Sequence, residues 1–286
     1  MPKIALATTA FARPLDEDFA PLAEALRGLG AQVEDPGWDD AGVDWSSYSL
    51  VLMRATWNYH DDLTAFLAWA DHVARSSRLC NPPALVRWNT HKRYLLELER
   101  AGVPVIPTTV TEPDAAWTPP AAAEYVVKPA VGAGSRGARR CRAVELAAAR
   151  THARELQAAG KALVTQPYLE SVDSNGETAL IWFDGEFSHA IRKGPLLTPG
   201  GGATAALFAP ESITARAAAA DELEVGRRAL AAIPGGAPLY ARVDLIRDGA
   251  GQPRVLELEL TEPSLFFAYA PGSAERFARR VLARAA

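Results

Sequence analysis

The sequence predicts an α/β protein with a small N-terminal parallel α/β domain followed by two α+β subdomains. Two observations carry this. Over the first 80 residues, short apolar runs alternate with amphipathic stretches, the pattern of strands and helices in βαβ units. Further on, extended segments meet in pairs across turn signals, Asp184-Gly185 and Asp248-Gly249-Ala250-Gly251, and read as antiparallel hairpins. The expected division is residues 1–85 for the first domain and 86–286 for the rest.

The elements follow in order. Residues 3–7 form a short buried strand. Asp16-Glu17-Asp18 opens a helix to about Leu26, its acids suited to the positive end of the helix dipole and Gly28 and Gly30 at its end. Residues 31–33 are an edge strand and residues 50–53 a buried one. Asp61-Asp62 opens a second helix, which Asn81-Pro82-Pro83 terminates. Asn89-Thr90 caps a helix running to Gly102. The segment 111–120 is Pro-rich and exposed. Next come a strand at 125–127, a glycine turn, a basic strand at 138–144 and an Ala-rich helix over 146–159. Residues 164–169 are extended, 179–183 and 187–191 form a hairpin, and Pro199-Gly200-Gly201-Gly202 is a loop. A helix covers 215–232, a second hairpin pairs 239–246 with 254–260, and a helix from Ala274 closes the chain.

Composition narrows the class. The 286 residues are 49% hydrophobic and 22% charged, with 30 basic against 34 acidic residues and a net charge of −4, which speaks against a nucleic-acid surface. Cys80 and Cys141 make neither a disulfide framework nor a CxxC pair, so a reducing cytoplasm is expected. The N-terminal apolar run is too short for a signal peptide, and no stretch approaches about 20 uninterrupted apolar residues. No nucleic-acid or membrane partner is expected; a homodimer is left open.

The last hairpin holds charges that a sheet core should not. Side chains alternate along a strand, so Arg242 and Asp244 share one face, and Glu257 and Glu259 share one face. Val243, Leu245, Leu256, Leu258 and Leu260 then take the core face. Glu257 and Glu259 stand about 7 Å apart at the usual rise. Like charges at that range repel by roughly 3 kcal/mol at an effective dielectric of 20, so Arg242 or a metal must compensate. All-oxygen ligation points to Mg²⁺ or Mn²⁺ with phosphates completing the shell. The competing reading is a solvated polar strand.

Residues 125–137 contain a literal GxGxxG at Gly132, Gly134 and Gly137, with Ser135 inside it. A dinucleotide fingerprint needs a helix starting within those glycines, and residues 138–144 carry no helical apolar period. A Walker A loop needs its lysine after the glycines, and Lys128 precedes them. What remains is a glycine turn whose backbone N–H groups can close over phosphates beside Lys128, or a plain surface hairpin. Lys92 reads alone as a solvated helix lysine. Arg54, Thr56, Trp57 and Tyr59 follow the 50–53 strand, where open α/β sheets bind ligands, and suit a small carboxylate. A loop held by a buried Trp57 explains them equally.

Taken in order, Lys92, Lys128 with its glycine loop, Val164-Thr165-Gln166-Pro167-Tyr168-Leu169, Arg242 with Asp244, and Glu257 with Glu259 resemble the ATP-grasp ligases. The branch they are most similar to is that of glutathione synthetase and D-alanine–D-alanine ligase. The resemblance runs from about Arg87 to the C-terminus and implies the ATP-grasp fold, in which the two α+β subdomains grip ATP and a lid covers about residues 124–168. It implies ATP and Mg²⁺ as cofactors and a small-molecule carboxylate that is phosphorylated on its way to an amide. By resemblance, Lys92 and Lys128 hold phosphates beside the Gly132, Gly134 and Ser135 turn. Gln166, Tyr168 and Leu169 meet the adenine, and Glu177 lies on the ribose side. Arg192 or Lys193 touches the γ-phosphate or substrate carboxylate, Arg242 faces the acyl phosphate, and Asp244, Glu257 and Glu259 ligate metal.

Two positions depart from the family pattern. Glu259 stands where Asn is usual, and Ala179 where an arginine often follows the ribose-side acid. Residues 54–59, 81–83 and 87–94 are similar to the cyclo-ligase subgroup of D-cycloserine biosynthesis, which activates the carboxylate of O-ureido-D-serine. That similarity implies an intramolecular ring closure. The alternatives are an amino-acid or dipeptide ligase of the glutathione synthetase or ribosomal-protein-modifying type, a non-catalytic nucleotide sensor and, on GxGxxG alone, an NAD-binding oxidoreductase.

Overall fold

The computed structural model describes residues 1–198, 202–204 and 212–286. Within the loop expected at 199–202, residues 199–201 lie outside the described residues. The chain opens with β1 (Lys3–Ala7), α1 (Phe19–Gly28), β2 (Gln32–Glu34), β3 (Leu50–Met53), α2 (Leu63–Ser76) and β4 (Arg78–Cys80). The four strands form a parallel sheet in the order β2-β1-β3-β4. β1 and β3 are almost wholly apolar because helices or loops cover both faces of such a sheet. Asp62 caps α2, accepting from Ala65 N at 2.9 Å. The acids before α1 behave differently from expectation. α1 starts at Phe19, and Asp18 makes no side-chain cap. Its carboxylate turns away and accepts from the backbone N–H groups of Leu265, Phe266 and Phe267 at 2.5, 3.2 and 3.0 Å.

β4 was not anticipated, nor was the first of two short helices, α3 (Pro83–Asn89) and α4 (Tyr94–Arg100). Pro83 occupies the first turn of α3, where its missing N–H costs nothing. Asn89, expected to begin a helix, ends one. Its amide is buried and spans the next layer, donating to Leu258 O at 2.8 Å and accepting from Leu260 N at 2.7 Å. Asn81 does the same work, donating to Tyr240 O (3.0 Å) and Leu260 O (2.7 Å) and accepting from Leu239 N (2.8 Å). It is fully buried, so Asn81→Ala strands three backbone groups. It should lower unfolding free energy by about 2–4 kcal/mol, read as a fall in urea midpoint at unchanged slope.

The second layer comprises β5 (Thr109–Thr111), β6 (Glu124–Pro129), β7 (Arg139–Arg142), α5 (Leu146–Ala158) and β8 (Leu163–Pro167), its antiparallel sheet ordered β5-β8-β6-β7. β5 falls at the edge of the Pro-rich stretch expected to be exposed; Thr111 is buried against β8. α5 packs Ala149, His152 and Ala153 onto this sheet. His152 Nε2 lies 3.0 Å from Gly137 O and ties the glycine turn to α5. Gly137 has φ +78°, and a Cβ there would stand 3.1 Å from the Pro129 ring, so this position takes glycine.

Burial depresses the His152 pKa below 6.5, against weaker support from the backbone of Gly137. The unfolded chain therefore binds the His152 proton more readily, and the contribution of the neutral ring is lost as pH falls below 6.5. The stability gap between the native protein and His152→Gln should narrow on acidification from pH 7.5 to 5.5, measured by urea denaturation.

The third layer contains α6 (Ser171–Asn175), β9 (Glu177–Phe183), β10 (Glu186–Lys193), β11 (Ile213–Arg216), α7 (Ala220–Ala231), β12 (Tyr240–Arg247), β13 (Pro253–Glu259) and α8 (Ser273–Ala285). Its antiparallel sheet runs β11-β10-β9-β12-β13. The helix expected from 215 begins at Ala220, because 213–216 pair with β10 as an edge strand. α8 packs on α1, and one core joins Leu22, Leu26 and Leu50 to Ile181, Phe183 and Phe277. The C-terminal helix thus seals the parallel sheet against the last antiparallel one.

Candidate active site

A cavity of about 440 Å³ lies where the three layers meet. One wall is the β12–β13 hairpin. Its register pairs Arg242 with Glu259 and Asp244 with Glu257, so all four charges expected on that face are neighbours. A bulge between Asp244 and Leu245 sets Leu245 opposite Val255 and leaves Leu256 unpaired. Leu256, expected in the core, therefore lines the cavity together with Ile246, Ile106, Tyr168 and Leu169. This apolar slot beside Gln166 is what a purine ring requires. Leu256 escapes a sequence reading because the bulge on its strand inverts the alternation by which faces are assigned, whereas Ile246 follows the two-residue period from Arg242 and Asp244.

Cations and carboxylates interleave across the hairpin wall. Lys92 Nζ stands 2.9 Å from Glu257 Oε1, and Lys128 Nζ 3.8 Å from Oε2. Lys193 Nζ reaches Glu177 at 2.8 Å and Asp244 at 2.7 Å. Arg242 grips Asp244 with Nε and Nη2 at 2.9 and 3.0 Å and also pairs with Glu259. Burial alone would raise the Asp244 carboxyl, but Arg242 and Lys193 outweigh it and bring it down to about 2. Burial dominates at Glu259 and pushes it up to about 7. Lys128 is lowered by burial, whereas Lys92 stays raised because Glu257 outweighs the same cost.

The glycine turn closes the cavity from the second layer. Gly132, Gly134 and Ser135 line it, and Gly134 and Ser135 have φ +59° and +60°. Lys92 Nζ donates to Gly132 O at 2.9 Å and Tyr59 OH to the same oxygen at 3.4 Å. The residues after the turn form strand β7, so the helix N-terminus that a dinucleotide fingerprint needs is not built here.

Three expected residues are placed differently. Arg54 is buried and absent from the cavity lining; it pairs with Asp18 at 3.2 Å and donates to Pro263 O at 3.1 Å. Thr56 is buried, and its hydroxyl has no hydrogen-bond partner among the described residues. Arg192, next to Lys193 on β10, points to the other face of the strand. There its guanidinium donates to Asn175 O (2.8 Å) and Ser174 O (3.2 Å), and it does not line the cavity. Of the pair Arg192 and Lys193, only Lys193 faces the cavity. Trp57 and Tyr59 do line it. The segment 261–267 was not singled out in the sequence; it brings Glu262, Ser264 and Phe266 to the cavity, and its one available cue was the acid in Thr261-Glu262-Pro263 after a strand already rich in acids.

A family model for the N-terminal domain of D-cycloserine synthetase DcsG matches residues 4–81. The chain is 41% identical over 295 residues to the cycloserine biosynthesis protein DcsG of Streptomyces lavendulae, covering 98% of each. The crystal structure of D-cycloserine synthetase DcsG matches with a TM-score of 0.91 at 39% identity, over 99% of this chain and 100% of that one. D-alanine–D-alanine ligase from Bacillus anthracis complexed with ATP matches with a TM-score of 0.70 at 14% identity, over 100% and 97%. The ATP-grasp ligase PsnB, complexed with a phosphomimetic variant of its minimal precursor, Mg and ADP, matches with a TM-score of 0.63 at 18% identity, over 100% and 99%. The last two share the fold alone. With DcsG sharing two residues in five along nearly its whole length, this chain belongs to the DcsG family, and it has the fold of the ATP-grasp ligases.

Proposed function

We propose that this ATP-dependent ligase activates the carboxylate of a small amino acid and closes a ring with the substrate's own nitrogen, making D-cycloserine from O-ureido-D-serine. The carboxylate attacks the γ-phosphorus and ADP leaves; the aminooxy nitrogen then attacks the acyl carbon, giving up its proton as phosphate leaves, and water removes the carbamoyl group from that nitrogen as carbon dioxide and ammonia. The catalytic part rests on one observation: four buried or nearly buried cations and four carboxylates share one cavity wall. The ring closure rests on the likeness to DcsG.

Adenine stacks in the slot of Tyr168, Leu169, Ile246 and Leu256, with Gln166 beside it and Glu177 toward the ribose. Lys92, Lys128 and Lys193 exchange carboxylate partners for phosphate oxygens under the Gly132–Ser135 turn. That exchange frees Asp244, Glu257 and Glu259. Their hard oxygen donors fit Mg²⁺. Among the described residues no three His, Cys, Asp or Glu side chains already converge as a cage. When bound, Mg²⁺ neutralises phosphate charge. Arg242 offers its guanidinium to the oxygen of the activated carboxyl, the charge that grows as the tetrahedral centre forms. The working division is residues 1–85 as the substrate-side domain and 86–286 as the nucleotide grip, with 124–168 as lid.

The test incubates the protein with ATP, Mg²⁺ and O-ureido-D-serine and follows ADP and product mass. D-Cycloserine formed with no added amine supports the proposal. ADP released only when a second amino acid or a peptide is supplied would replace ring closure with intermolecular ligation.

A further inference from the structure

The segment that follows β13 is held from every side. The carbonyl of Thr261 accepts from Tyr240 OH (2.7 Å), that of Glu262 from Trp57 Nε1 (3.2 Å), that of Pro263 from Arg54 (3.1 Å) and that of Ser264 from Arg242 (3.2 Å). Asp18 takes the next three N–H groups. Seven consecutive residues thus have their backbone fixed by side chains from the N-terminal layer and β12. Within this clamp one carboxylate has no partner among the described residues. The Glu262 side chain lines the cavity at 7% exposure, and no described donor or cation reaches its carboxylate at hydrogen-bond or ion-pair distance.

Such a group is costly unless something pairs with it. Around it the charges already cancel. Lys92, Lys128, Lys193 and Arg242 are matched by Glu177, Asp244, Glu257 and Glu259, and Arg54 is matched by Asp18. Among the described residues Glu262 is the buried carboxyl left without a cation, and it faces the cavity.

Resting on the ring-closing reading above, we infer that Glu262 is the specificity residue that pairs with the protonated α-amino group of the substrate. The substrate class is thereby an α-amino carboxylate. Arg242 bonds Ser264 O two residues along the same segment, so a zwitterion seated here sets its carboxyl toward the guanidinium and its ammonium toward Glu262. Burial first, then the charge of Glu259, pushes Glu262 up to about 8, so it is largely protonated at neutral pH and ionises when an ammonium pairs with it. Asp18 cannot take this role, because Arg54 and three backbone N–H groups already occupy its oxygens.

The experiment compares O-ureido-D-serine with its des-amino analogue, 3-(ureidooxy)propanoate, by calorimetric binding to the Mg²⁺–nucleotide complex and by ADP release. Wild type should favour the amino compound by about 10- to 100-fold. Glu262→Gln should remove that preference while leaving the KM for ATP within about twofold, and Glu262→Asp should retain part of it. Because the glutamine side chain is isosteric and uncharged, its melting temperature should equal or exceed that of wild type. A preference that survives Glu262→Gln, or disappears instead in Glu17→Gln at the exposed rim, overturns the inference. Wild type that binds both compounds equally overturns it and leaves the ligase chemistry standing. Wild type that prefers the amino compound yet forms no ring from it rejects ring closure and leaves the ammonium site standing.

Discussion

Glu257→Gln should cut ATP turnover by about 10²- to 10³-fold, with the fold retained. Glu257 sits between Lys92 and Lys128 at 2.9 and 3.8 Å and faces Asp244 across the hairpin. Both lysines outweigh burial and hold its carboxyl below the ordinary range, so it is ionised at neutral pH. Glutamine keeps the shape and one acceptor for Lys92 but removes the charge. The lysines then lose a competitor for phosphate, and nucleotide binding without Mg²⁺ should hold or tighten. Turnover should fall and shift to higher Mg²⁺ concentration, since one hard anionic donor is gone. Stability should drop by about 1–3 kcal/mol, the worth of a hydrogen bond to a charged group. ADP release within tenfold of wild type at ordinary Mg²⁺ would remove Glu257 from the metal and phosphate machinery.

What the sequence made legible was governed by local rules. β3 and the β12–β13 hairpin are written in apolar alternation and turn residues, and both occur close to their expected bounds. The face shared by Arg242 and Asp244 follows from the two-residue period of a strand. Long-range geometry escaped. Leu256 was assigned to the core because a bulge cannot be seen in alternation. By local rules Asn89 and Asn81 read as cap and stop, while their amides in fact stitch α3 and the 80–82 corner to β12 and β13. Arg54 looked like a carboxylate reader because it follows a strand end, yet its partner Asp18 lies 36 positions earlier. Glu262 had no motif at all; only the convergence of Trp57, Arg54, Tyr240 and Arg242 on its flanking carbonyls gives it meaning.

Replacing Arg242 should separate holding the site from running it. The guanidinium is buried, forks onto both oxygens of Asp244, pairs with Glu259, bonds Ser264 O and lies 5.6 Å from the Phe266 ring centre. Arg242→Met strands the Asp244 charge on Lys193 and leaves Glu259 with no cation in contact, a loss of about 3–5 kcal/mol in stability. It should also lower kcat by about 10²- to 10³-fold, the usual cost of one oxyanion donor. Arg242→Lys is the discriminating variant. An ammonium restores the charge that Asp244 needs but cannot bridge Asp244, Glu259 and the Ser264 carbonyl at once while presenting a planar edge to the reacting carboxyl. Stability should therefore return to within about 1–2 kcal/mol of wild type while kcat stays at least about 30-fold down. If kcat and melting temperature recover together, Arg242 merely fastens β12 to its neighbours, and the donor for the developing oxyanion must be one of the lysines.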